Sequence, residues 1–224
     1  FDVCLVRGIS PHAIYAKILL RHLASLGTRI VDGKLVSGHY EFHKVHMTQE
    51  LIQSRLPVVD TFYFLNKDEL KKNLNLLPRR IVYKEIQGMR CRNMGIIDRS
   101  KLVSFMKKKT LDRYFFQPFI KAMTDLRIMV VGRKVLGGIR RSTYFYNRRH
   151  NRFFEPQELT AQLKSLALKA ARATHWEIAG VDLIRDGKTY RVLEVNGFPR
   201  FARFIDYTGV SVAEEIVKYL ERIN

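Results

Sequence analysis

Apolar positions along the chain switch between a period of two and a period near 3.6, and the switches mark out the elements. Asp2–Arg7 alternates apolar and polar residues and ends at Gly8, the pattern of a strand entering a turn. Ser10 and Pro11 read as an N-cap and a first helical position, and Ile14, Ile18, Leu19, Leu23 and Leu26 follow at helical spacing until Gly27. Thr28–Val31 is a second short strand. This strand-helix-strand unit is too small to be a complete domain.

The pattern changes at Ser37-Gly38. Glu41–Ser54 reads as a helix with Leu51 and Ile52 on its apolar side, and Val58–Phe64 as a strand. A helix starting at Asn66 runs through Leu70, Leu74 and Leu77 to Pro78. Arg80–Ile86 is a strand, with Ile96-Ile97 as its hairpin partner across the loop Gln87–Gly95. Tyr114–Ile120 is strand-like, and its Pro118 marks an edge or a segment end. Leu126–Val131 and Val135–Arg140 flank the turn Gly132-Arg133-Lys134. Pro156–Thr174 is the most regular helix, with Leu159, Leu163, Leu166 and Ala170 in register. Ile178–Ile184 and Tyr190–Asn196 form a hairpin on an Asp186-Gly187 turn, and Val212–Ile223 closes the chain as a helix. Alternating helices and hairpins predict an α+β fold with largely antiparallel sheets. No internal repeat is visible.

Composition narrows this picture. Of the 224 residues, 46% are hydrophobic, enough for a substantial core. Apolar runs such as Ile128–Val131 fall far short of the roughly 20 residues of a membrane helix, so no membrane association is expected. Phe1–Val6 leads into Arg7 and Gly8 with neither a basic start nor a cleavage site, so no leader is expected. A chain opening on Phe1 rather than Met is expected to be a fragment or to lack a disordered start. Cys4 and Cys91 fit reduced thiols in a cytoplasmic protein. The seven histidines include no zinc spacing, and His43 and His46 read as surface groups. Forty Lys and Arg against 21 Asp and Glu leave +19, a field that concentrates polyanions.

The last hairpin carries the most specific chemistry. Glu194 and Asn196 are two apart and share one face of their strand, while Asp182 lies on the partner strand among apolar neighbours. An unpaired carboxylate there is costly, and two carboxylates on one face repel. A hard divalent cation resolves both problems by taking oxygen ligands from all three, and Mg2+, which completes its shell with substrate phosphates, is the natural candidate.

The stretch from Ile178 through Gly180-Val181-Asp182 to Glu194-Val195-Asn196, with Thr208-Gly209-Val210-Ser211-Val212-Ala213 before the final helix, resembles the C-terminal part of the RimK-like branch of the ATP-grasp superfamily. Upstream, Phe119-Ile120-Lys121, Asp125-Leu126-Arg127 and Val130-Val131-Gly132-Arg133-Lys134-Val135 resemble its hinge and central hairpin. The resemblance covers roughly residues 38–224. It implies an ATP-grasp fold, two α+β lobes clasping ATP: residues 38–116 as the N-terminal lobe, 117–224 as the C-terminal lobe, and 1–37 as a partial substrate-side region. It also implies an ATP- and Mg2+-dependent ligase in which ATP phosphorylates a carboxylate and an amine attacks the acyl phosphate.

Position by position, the resemblance implies that Asp182, Glu194 and Asn196 ligate one or two Mg2+ ions. Lys84 would reach the nucleotide phosphates, Lys44 matches an earlier lysine of the family and with Gly88 would belong to the cofactor site, Phe119, Ile120 and Lys121 would frame adenine, and Asp125 would face the ribose. Arg127 and Arg141 would stand near the phosphates or the acyl phosphate, with Asn147 or Asn151 as the family's asparagine and Arg149 or Arg152 nearby. The loop from Gln87 keeps only Gly88 and Gly95 of the family's glycine-rich loop and fills its interior with Arg90 and Arg92. Gly197-Phe198-Pro199-Arg200-Phe201 after Asn196 resembles the archaeal branch, which includes glutamate ligases acting on pterin and deazaflavin cofactors.

Two functional readings follow. In the first, the chain is a carboxylate–amine ligase that adds an amino acid such as glutamate to an acidic small-molecule or peptide acceptor. In the second, an ATP-grasp scaffold serves without ligase activity as an RNA- or ribosome-binding module, using its +19 charge and the aromatic-arginine stretch 144–152. The Asp182, Glu194 and Asn196 set favours the first.

Overall fold

The computed structural model describes residues 1–9, 12–36, 43–86, 93–143 and 154–223. Ser10, Pro11, Ser37, Gly38, Glu41, Gly88, Cys91, Asn147, Arg149, Asn151, Arg152 and the 144–152 stretch lie outside the described residues.

The N-terminal unit consists of β1 (Val3–Leu5), α1 (Ala13–Ser25) and β2 (Arg29–Val31), with the two strands parallel. Period alone misplaces the buried side of α1. Leu20 is fully buried and Leu23 packs on the core, whereas Ile14, Ile18, Leu19 and Leu26 are exposed. Lys17, Arg21, His22 and Ser25 fall on the same side as Ile14 and Ile18 and keep it in solvent, which leaves the opposite stripe with Leu20 and Leu23 to be buried.

Next come α2 (Lys44–Gln53), β3 (Phe62–Tyr63), α3 (Lys67–Lys72), β4 (Arg80–Glu85), β5 (Met94–Asp98), α4 (Arg99–Met106) and β6 (Tyr114–Pro118). Their strands form an antiparallel sheet in the order β3-β6-β4-β5. Asn66 caps α3 through Oδ1, which accepts from the amides of Asp68 and Glu69. His43 has a structural role, because its Nδ1 accepts from the His46 amide and caps α2. Pro118 ends β6, as expected, but β6 is an inner strand rather than an edge. The strand expected over Val58–Phe64 shortens to β3, and Val58 instead bridges to Val192.

The rest of the chain supplies β7 (Thr124–Val131), β8 (Lys134–Ser142), β9 (Phe154–Gln157), α5 (Ala161–Ala173), β10 (Ile178–Asp186), β11 (Thr189–Asn196), α6 (Ala202–Thr208) and α7 (Val212–Ile223). The five strands form an antiparallel sheet in the order β11-β10-β7-β8-β9. The helix expected from Pro156 begins later. Pro156 sits in β9, an edge strand where a missing N–H is tolerated, and the Thr160 hydroxyl caps α5. Strand β9 and the seven-residue α6 are too short to have shown a period.

Leu126, Ile128, Val181 and Leu183 belong to the core formed between the large sheet, α5 and the N-terminal unit. Met129, Val131 and Ile178 pack instead with residues of α6 and α7. These helices cover only part of the second face of the sheet, and its remainder carries charge. Among the described residues no helix is long and apolar enough to cross a membrane.

Candidate active site

Strand register assembles the charged face. Asp182 lies opposite Glu194 on one side and Arg127 on the other, Asn196 lies opposite Gly180, and Asp125 lies opposite Arg141. Cross-strand partners share a face, as do residues two apart. Asp125, Arg127, Arg141, Asp182, Glu194 and Asn196 therefore all project from the same side of the sheet.

The arginines meet carboxylates. Arg127 donates from Nε to Asp182 Oδ1 and from Nη2 to Oδ2, both at 2.7 Å. Arg141 Nη2 lies 2.8 Å from Asp182 Oδ2, its Nε donates to Asp125 Oδ1, and Asn196 Nδ2 approaches Asp182 Oδ2 at 3.5 Å. Burial pushes the Asp182 carboxyl upward, but the Arg127 and Arg141 guanidiniums outweigh it and hold the group well below the ordinary carboxylate range. Asp125 goes the other way: burial, with the Asp182 charge beside it, raises it despite Arg141. Arg141 is held firmly protonated by its two carboxylates against the effect of burial.

Two of the expected ligand-binding residues have side-chain partners of their own. Asp182 was expected on a metal, yet both its oxygens accept from guanidinium groups. Asp125 was expected at a ribose, yet it receives Arg141. A hard cation would find its donors in the Glu194 carboxylate and the Asn196 amide oxygen. Glu194 is one-third exposed and forms a long ion pair with Lys44, at 3.7 Å. Among the described residues no cluster of three or more His, Cys, Asp or Glu is arranged to hold a metal. Glu194 and Asn196 nevertheless fit Mg2+, which is commonly held by one or two protein groups plus phosphates and water. Asp182 stands beside this pair with its oxygens engaged by Arg127 and Arg141.

Glu194 also lines a cleft with Lys44, Met47, Thr48, Lys84, Phe115, Gln117 and Leu193, which joins α2, the small sheet and β11. Lys84 donates to Gln117 Oε1 at 2.7 Å, and Gln117 Nε2 donates to Thr61 Oγ1 at 2.9 Å. Lys44, Lys84 and Glu194, singled out from sequence, thus converge on one opening. Gln117, Met47 and Thr48 were missed. Gln117 is a polar side chain in an otherwise apolar strand, and Met47 and Thr48 lie three and four residues beyond Lys44 on its helical face; both signals were present in the sequence.

Phe119, Ile120 and Lys121 belong to the connection between the sheets and are not among the residues lining this cleft. The Phe119 amide donates to Arg80 O at 3.0 Å, and the Arg80 guanidinium lies 4.3 Å from the centre of its ring.

Comparison with known proteins agrees with this architecture. Residues 43–220 match the RimK-like ATP-grasp domain. A "Probable alpha-L-glutamate ligase 2" of Shewanella amazonensis is 37% identical over 113 residues, 48% of this chain and 38% of the relative. A "Probable alpha-L-glutamate ligase" of Legionella pneumophila is 24% identical over 99% of this chain and 76% of the relative. The chain therefore matches less than half of the first relative and about three quarters of the second. Among solved structures, the ATP-grasp ligase PsnB complexed with minimal precursor, Mg and ADP superimposes with a TM-score of 0.75 at 17% identity, covering 100% of this chain and 78% of that one. The family match spans most of the chain and the structural match shows the same fold over all of it: this chain belongs to the RimK-like ATP-grasp family, and the curated relatives above bear the names of probable alpha-L-glutamate ligases.

Proposed function

We propose that this chain is an ATP- and Mg2+-dependent carboxylate–amine ligase that adds an amino acid such as glutamate to an acidic small-molecule or peptide acceptor. The observation that carries the reading is the convergence of Lys44, Lys84 and Glu194 on one cleft beside the face bearing Asn196, Arg127 and Arg141. The names of the Shewanella and Legionella relatives support glutamate, and the Mg and ADP in the PsnB complex support the cofactors.

In this reading Lys44 and Lys84 receive the nucleotide phosphates, and Glu194 and Asn196 hold the metal. Bound there, Mg2+ would offset charge on the transferring phosphoryl group. An oxygen of the acceptor carboxylate forms a bond to the γ-phosphorus as the bond to the ADP oxygen breaks. The amine nitrogen then bonds to the acyl carbon, phosphate leaves with the oxygen it acquired, and the nitrogen loses a proton to solvent. Arg127 and Arg141, fixed by Asp182 and Asp125, supply oriented donors on the face where that negative charge develops.

The test is a calorimetric titration with ATP, with and without Mg2+, on the parent chain and on Glu194→Ala and Asn196→Ala. Micromolar binding that requires Mg2+ and is lost in both variants is the expected result. No binding by a parent shown to be folded by circular dichroism would overturn the proposal, and a salt-sensitive polyanion partner such as RNA would then be the next one to test.

A further inference from the structure

Strand β11 is the outermost strand of the large sheet, so among the described residues one of its edges has no neighbouring strand. It nevertheless carries Glu194 and Asn196, which must be held within a few tenths of an ångström to serve a metal. Unpaired edges are normally covered or blunted. Here the cover comes from residues distant in sequence. The Val192 amide donates to Pro57 O at 2.7 Å, and the Val59 amide donates to Val192 O at 3.2 Å. Beyond the irregularity opposite Asp182–Leu183, the Val195 amide donates to Met47 Sδ at 3.3 Å. The Gly197 carbonyl then accepts from Arg7 Nη1 at 2.7 Å.

The last two contacts bracket Asn196. Arg7 is itself fixed: the same Nη1 lies 3.1 Å from Asp32 Oδ2, and its guanidinium stands 5.0 Å from the centre of the Phe198 ring. Asp32 is wholly buried and accepts through Oδ1 from the amides of Glu177 and Ile178, which ties this anchor to the start of β10. Phe198 meets Trp176 edge-on at 5.5 Å, and a Cβ at Gly197 would overlap the Trp176 indole. Opposite Asn196, a Cβ at Gly180 would come within 2.9 Å of Pro199. The Gly197-Phe198-Pro199 sequence after Asn196 therefore has a packing reason at each position.

We infer that Arg7 and Met47 are positioning residues for the Glu194 and Asn196 pair. They fix the backbone on either side of Asn196 so that its amide oxygen and the Glu194 carboxylate present one geometry to a divalent cation. This rests on the proposed metal role of that pair. It gives a role to the β1–α1 connection, which supplies Arg7 from outside the matched family domain.

The experiment compares the parent with Arg7→Met, Arg7→Lys and Met47→Leu by two readouts. Hydrogen exchange of the peptide covering 193–198, without nucleotide, reads the positioning itself. Mg2+ titration of ATP binding reads its consequence. Arg7→Met is expected to speed exchange and raise the Mg2+ half-saturation point, each by about tenfold, the loss of one charge-assisted hydrogen bond. Met47→Leu should do the same by about threefold, since sulfur is the weaker acceptor. For Arg7→Met, whose side chain is not among those lining the cleft, ATP affinity without metal should stay within about twofold, a change of well under 1 kcal/mol. Arg7→Lys should restore much of the parent behaviour. Because Arg7→Met also strands Asp32, Met47→Leu carries the test if that variant does not fold. Unchanged exchange in folded variants overturns the inference, whether or not the parent binds ATP. Faster exchange with unaltered Mg2+ dependence overturns it too, by reducing the contacts to a structural role. A parent that shows no Mg2+-dependent ATP binding fails the proposed function, and the exchange readout shows separately whether the clamp exists.

Discussion

Arg141→Met removes the most heavily shared donor of the charged face, and its consequences can be worked out from the contacts. Arg141 donates to Asp125 and lies 2.8 Å from Asp182, and the side chains of Arg141 and Asp125 are each only 12% exposed. The change converts two cations facing two anions into one cation facing two anions. Asp182 keeps its two bonds from Arg127, but Asp125 loses Arg141. Removing one partner of a buried pair costs about 3–5 kcal/mol. That cost depends on pH. Burial already raises the Asp125 carboxyl, and losing Arg141 moves it further up. A carboxyl raised in the folded state contributes stability below its unfolded pKa and loses it as pH climbs through the folded one. The defect should therefore be deeper at about pH 8 than at about pH 5, by at most about 1.4 kcal/mol for each pH unit over which the carboxyl titrates. Urea denaturation followed by circular dichroism at both pH values measures it. Adding Asp125→Asn should recover most of the loss and flatten the pH dependence. A loss under about 1 kcal/mol at the higher pH, or an equal loss at both pH values, would refute the reasoning.

Three further outcomes follow from the packing. Burial raises the Asp32 carboxyl to about 6, against the Ile178 and Glu177 amides and Arg7; its contribution is complete below about pH 4 and lost above about pH 6, roughly 3 kcal/mol in all, so the stability difference between parent and Asp32→Asn should shift by that amount across this window in denaturation curves. Gly132→Ala places a Cβ into the Tyr219 ring at a φ of +58°, and should cost about 2–3 kcal/mol, seen as a lower Tm. Lys34→Met leaves the buried Glu50 without the ammonium that meets both its oxygens, at 2.8 and 2.6 Å, and should cost about 3–5 kcal/mol, largely recovered on adding Glu50→Gln when both are compared by urea denaturation.

The sequence shows local pairing far better than distant pairing. Alternation alone puts Glu194 and Asn196 on one face of their strand, but Asp182 lies across from Glu194 only through the bulge beside Leu183, without which the turn would have set it against Leu193. The helical positions around Lys44 and the strand around Lys84 are equally local. The pairing of β10 with β7 joins segments about fifty residues apart, and no spacing in either strand announces it. Arg127 therefore could not be matched to Asp182 by reading along the chain, and a carboxylate among apolar neighbours looked as though it needed a metal. The burial of α1 is misread for a different reason: apolar spacing alone picks out Ile14 and Ile18, whereas Lys17, Arg21, His22 and Ser25 mark that side as the exposed one.

That hidden pairing changes the electrostatics of the site. Arg127 and Arg141 balance Asp125 and Asp182, so the block they form is neutral and exerts little net pull on an approaching nucleotide. In the proposed function, attraction for phosphate then falls to Lys44 and Lys84, and Lys44 already lies 3.7 Å from Glu194. With Lys44 alone, Glu194 draws down one of the two charges available to phosphate. With a divalent cation between Glu194 and the phosphates, the carboxylate is neutralised by the metal and Lys44 is released to the nucleotide. The two residues are thus coupled: the metal increases the positive charge facing the phosphates by more than its own direct contacts. Nucleotide and Mg2+ should consequently strengthen each other's binding in the parent, a coupling whose size is the same measured from either ligand.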